Sequence, residues 1–169
     1  MAAAGSHAPF TLAIGPVTVT FTWATDRWSH RVTMRGGSAW DSVEGSRPED
    51  GDDRWPASPV LVELSQLQTA RGPAVLGVGL AGRSHFSASI GADPYHPDRV
   101  RFEIACRCNE PPVWLGSCYD GHGGRVAVRP GNEPPCPPAT VQWGYSVGVE
   151  GITATDGSVI ARPLPPRQG

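Results

Sequence analysis

Hydrophobic and polar positions alternate along most of this chain, and the clearest stretch is residues 100–119, VRFEIACRCNEPPVWLGSCY. Val100, Phe102, Ile104, Cys106 and Cys108 share one face, while Arg101, Glu103, Ala105 and Arg107 share the other. A period of two is the mark of a strand with one buried and one wetter face. Asn109-Glu110-Pro111-Pro112 breaks the pattern, because the prolines restrict the backbone and cannot donate ladder hydrogen bonds. A second apolar run follows over 113–119, and the simplest pairing is a hairpin holding three of the four cysteines.

The same period recurs elsewhere. Phe10, Leu12 and Ile14 alternate up to a Gly15-Pro16 turn. Val17, Val19, Phe21 and Trp23 then oppose Thr18, Thr20 and Thr22, and β-branched and aromatic residues suit a pleated surface. Val32 and Met34 mark a short strand with a wet, cationic back. Residues 60–67 read as another strand, with Glu63 half-buried among Val60, Leu61, Val62 and Leu64. Residues 74–80 and 84–90 form a hairpin around Ala81-Gly82-Arg83. Gly77 and Gly79 thin its first strand on one face, opening it to close packing or to a ligand. Val141, Trp143, Tyr145, Val147 and Val149 give the longest clean apolar face, and 159–161 closes the fold.

This pattern predicts an all-β domain, an antiparallel β-sandwich of about nine or ten strands with long loops at 36–59, 91–98 and 130–138. A partly closed barrel is the alternative, since periodicity does not decide closure. The domain covers 9–162, with flexible tails at 1–8 and 163–169. Composition agrees: glycine and proline contribute 21 and 18 of 169 residues and punctuate the short runs, while no segment reads as a long amphipathic helix.

All fourteen basic residues are arginine. The absence of lysine rules out a lysine Schiff base or a P-loop lysine. A net charge of −2 argues against a general nucleic-acid partner. No apolar stretch reaches membrane-spanning length, and the first residues lack the basic and apolar regions of a signal peptide. Soluble, cytoplasmic residence with reduced thiols is the expectation. No cofactor is expected. An unknown protein or small ligand is the expected partner, and a homodimer would cover exposed edge strands.

Three function classes are open. The first is a small non-catalytic binding domain. Trp28, Trp40 and Trp55 stand beside polar or turn residues, where an exposed ring could stack on a ligand, and Arg35 would assist. The plainer alternative is that the rings cover sheet edges and sandwich ends. The second class is a hydrolase using Glu44, Glu63 or Glu103 in a cleft near His85, although ion pairs with Arg101, Arg107 or Arg35 across a sheet are the simpler reading of such carboxylates. The third is a thiol-metal protein centred on Cys106, Cys108, Cys118 and His122. Its spacing is poor, and buried cysteines often serve as small hydrophobes. Cys118, Asp120 and His122 lie too close in sequence for an ordered catalytic relay. The acidic run at 49–53 could hold calcium but lacks the EF-hand period.

Overall fold

The computed structural model describes residues 6–47, 52–131 and 136–165, and within them thirteen strands form two antiparallel sheets. In chain order they are β1 (Phe10–Ile14), β2 (Val17–Ala24), β3 (Arg27–Met34), β4 (Ala39–Ser42), β5 (Glu63–Thr69), β6 (Gly72–Ala81) and β7 (Ser84–Ala92). Then follow β8 (Val100–Cys108), β9 (Ser117–Gly121), β10 (Gly124–Val128), β11 (Ala139–Gly148), β12 (Gly151–Ala154) and β13 (Val159–Ala161). Among the strands that the pattern does not show are two short ones, β4 and β12, of four residues each, too few to display a period.

The first sheet has the order β1-β2-β3-β4-β9-β10 and the second β13-β12-β11-β8-β7-β6-β5. Both keep free edges, so the molecule is a sandwich and the barrel alternative falls away. Among the described residues no helix is long and apolar enough to cross a membrane.

The alternation of 100–108 is as expected, for Val100, Phe102, Ile104, Cys106 and Cys108 are all buried. The hairpin is not. β8 is flanked on both sides, by β7 and β11, so it has no free side for β9. β9 pairs instead with β4 and β10 in the other sheet. Asn109 to Gly116 therefore carries the chain across the sandwich, and Pro111-Pro112 suit a connection that needs no ladder donors.

Residues 36–59 are likewise not a structureless loop. β4 lies within them, and residues 55–61, although outside any strand, are buried. This second crossing is fastened by backbone bonds from Ala57 N–H to the Gly45 carbonyl (2.9 Å) and from Trp28 N–H to the Leu61 carbonyl (2.8 Å). Ser58 Oγ accepts from Cys118 N–H at 3.0 Å and donates to the Cys118 carbonyl at 3.2 Å. Such bonds satisfy backbone groups that would otherwise be costly to bury.

Gly77 and Gly79 make this crossing possible. A Cβ on Gly79 would lie 2.1 Å from the Val60 carbonyl oxygen, and one on Gly77 would meet Leu61 and Leu64 side chains. Their bare faces take a passing backbone, not a ligand. At the termini, His7 stacks on Trp23 with centroids 3.6 Å apart, and Leu164 N–H donates to Ser38 Oγ at 2.7 Å.

Candidate functional site

Because Gly77 and Gly79 point inward, the large apolar residues next to them on β6 point out, while Val75 is buried. Leu76, Val78 and Leu80 are 45%, 50% and 57% exposed. They form a ridge on the outer face of the second sheet. Cross-strand register then gives two adjacent rows on that face, Glu63–Val78–Ser87–Ala105–Gln142 and Leu80–His85–Arg107–Thr140. Ser87 and Ala105 are small, so they form a floor between the β6 ridge and the longer side chains of β8 and β11. The result is a groove of about 630 Å³ whose walls include Val62, Val78, Leu80, His85, Arg107 and Thr140. That volume falls within the range of small-ligand sites.

The groove is polarised. Arg107 makes no ion pair among the described residues, and neither does Glu63. They stand on strands three spacings apart, about 14 Å at the usual inter-strand distance. Between them the surface is mostly aliphatic. An arginine at such a rim offers a fork of donors suited to a carboxylate or phosphate.

Three of the four residues assigned to a hydrolytic cleft fall near this face, but they do not converge. Glu63 is exposed and not half-buried, because β5 is an edge strand whose outer side carries Glu63, Ser65 and Leu67. His85 lines the same groove. Glu103 is bound by Arg101 Nε at 2.7 Å. Glu44 lies elsewhere, following β4 in the crossing between the sheets. Ser42 Oγ donates to its Oε1 at 2.8 Å, while Oε2 has no hydrogen-bond partner among the described residues. Burial pushes the Glu44 carboxyl up to about 7, against the lowering influence of Ser42 and Arg27.

The three tryptophans expected to stack on a ligand are buried. Trp28, Trp40 and Trp55 are 5%, 2% and 2% exposed. Trp28 packs edge-on against Trp23 and Phe10, and Gly121 leaves room for the Trp40 ring. The physical reason lies in the register: Trp28 continues the inward row of His30, Val32 and Met34. Large rings in that row fill the interior. Arg35 is exposed just past β3, where its N–H donates to the Pro16 carbonyl at 3.0 Å. The half-buried Trp114 lies between two guanidinium groups, Arg47 at 4.4 Å and Arg129 at 4.1 Å from the ring centroid.

Cys106 and Cys108 are adjacent inward residues of β8, with Sγ atoms 3.8 Å apart. Burial raises both thiols, which holds them in the protonated form that is poor as ligand and nucleophile. Cys118 lies on β9 in the opposite sheet, and His122 is exposed in the turn after it. Among the described residues no group of three or more His, Cys, Asp or Glu side chains is arranged to hold a metal ion. Asp120 is held by Arg125 Nε at 2.8 Å on the outer surface, away from any relay with the buried Cys118. Of the suggested calcium run, residues 49–51 lie outside the described residues, and Asp52 accepts from the Arg54 backbone N–H at 3.0 Å.

Val78, Leu80, Ser87, Ala105, Arg107 and Thr140, which line the groove, are not singled out as ligand-binding positions by the sequence pattern. The signal that could have found them is the pairing of inward glycines with outward leucine and valine in 74–80. Comparison of the chain with protein-family models, with curated proteins and with solved structures gives no match.

Proposed function

We propose that this protein is a non-catalytic binding domain that holds its ligand in the groove on the outer face of the second sheet. The observation that carries this reading is the row Leu76, Val78 and Leu80, roughly half exposed beside a floor of small residues. Clustered apolar surface of this kind is costly to leave in water and marks interaction sites. Arg107 at one rim favours a ligand with an aliphatic body and an anionic head. A hydrolase has less support. The carboxylate raised to about 7, Glu44, lies in the crossing between the sheets and not in the groove that contains Glu63 and His85.

Isothermal titration with octanoate tests the reading, since this probe combines an alkyl chain with a carboxylate. Octanoate binds the native protein, Arg107→Ala weakens it about tenfold through loss of a charge-assisted hydrogen bond, and Leu80→Ser weakens it as well. Both positions are on the outer face, so folding tolerates the changes. Absence of binding to the native protein, or equal binding by both variants, overturns the proposal.

A further inference from the structure

β5 is the most exposed strand of the fold. Six of its seven residues are exposed and the seventh, Leu64, is half-buried. It ends the second sheet, so one side of its backbone has no strand partner. The other edge strands are shorter: five residues each in β1 and β10, three in β13. Proteins ordinarily blunt a long edge with lysine, proline, a bulge or a cover. The β5 sequence, ELSQLQT, contains no lysine or proline, and its pairing with β6 is regular throughout. Leu67 is 38% exposed and continues toward the Leu76 and Val78 ridge. Such an edge is a template for strand addition.

We propose that β5 pairs with β5 of a second copy of this chain, antiparallel about Gln66, joining two seven-stranded sheets edge to edge. The sequence is self-complementary in that register. Gln66 faces Gln66, Ser65 faces Leu67, and Leu64 faces Gln68. The two Leu67 side chains become diagonal neighbours on the outer face, within reach of one another. The two Glu63 carboxylates stand at opposite ends of the ladder, so they do not oppose each other. Each Glu63 instead approaches the Thr69–Arg71 turn of the other copy. Neither Glu63 nor Arg71 has an ion pair among the described residues of its own chain. A charge that avoids itself and finds its opposite favours a second copy over an unrelated peptide. The positions that test this inference are separate from the ligand groove, since Gln66 and Leu67 do not line it.

Sedimentation velocity over a range of protein concentrations gives the first readout. The native chain is a dimer at the upper end, and Leu67→Glu, which sets two carboxylates diagonally across the pairing, is monomeric. Leu67→Glu keeps octanoate binding, which separates failure of this proposal from failure of the groove. The register is tested by Gln66→Cys in a Cys136→Ser background, because Cys136 is an exposed thiol. Residues 66 of the two copies are directly opposite, so mild oxidation links them into a covalent dimer, while a Thr69→Cys control does not link. A native chain that stays monomeric overturns the proposal. So does a dimer that survives Leu67→Glu and fails to cross-link through residue 66.

Discussion

His30 Nε2 lies 2.6 Å from the Tyr119 hydroxyl in the middle of the sandwich. The Tyr119 hydroxyl in turn lies 2.5 Å from that of Tyr145, on the facing sheet. Phe102 completes the cluster, stacked on His30 and on Tyr145 with centroids 5.5 and 4.8 Å away. Four rings thus meet between the sheets, and the Tyr119–Tyr145 hydrogen bond joins one sheet to the other. The polar atoms are satisfied within the cluster, which is the condition for burying them at tolerable cost. Burial lowers His30 to about 4, so its imidazole is neutral at neutral pH.

Two buried groups make opposite demands on pH. His30 falls from 6.5 to about 4 on folding, so its contribution is present above pH 6.5 and lost as pH falls toward 4. Glu44 rises from 4.5 to about 7, so its contribution is present below pH 4.5 and lost as pH rises toward 7. Their slopes oppose one another in the overlap. Glu44→Gln removes one of them. Relative to native protein, the variant gains about 3 kcal/mol of stability as pH is raised from 4.5 to 7, by the usual value of a pKa unit. Urea unfolding at a series of pH values checks this; parallel profiles for the two proteins contradict it.

Gly79 is where β6 meets the buried crossing. An alanine there puts Cβ 2.1 Å from the Val60 carbonyl oxygen, a contact that only backbone movement can relieve. Gly79→Ala therefore costs about 1–3 kcal/mol, the usual range for overpacking. Gly123→Ala, where nothing lies within 4 Å of the added atom, serves as the control. Thermal denaturation of the two variants reads the difference. Equal midpoints would mean that the crossing does not depend on this glycine.

These two glycines also mark where the sequence was legible and where it was not. Period-two patterns identified the strands because the inward residues of β2, β8 and β11 are mostly apolar and their outward neighbours mostly polar. β6 reverses that rule. Its inward positions include Gly77 and Gly79, because a crossing backbone occupies the space that side chains fill elsewhere. Leu76, Val78 and Leu80 are left outside, and a pattern that equates large apolar residues with core cannot see that. The burial of 55–61 was hidden for a related reason, since its fastening to Gly45, Cys118 and Trp28 is long-range and has no period. Trp28 was legible in its register with Val32 and Met34, but its polar neighbours in sequence pointed the other way.

The central claim is that the outer face of the second sheet is the binding surface. Amide chemical-shift mapping of the isotope-labelled protein during octanoate titration tests it directly. The expected result is a saturable set of shifts confined to 78–80, 85–87, 105–107 and 140, with the amides of His30, Tyr119 and Tyr145 unmoved. Shifts centred on the crossing at 55–61, on the Trp114 end of the sandwich, or nowhere would contradict it.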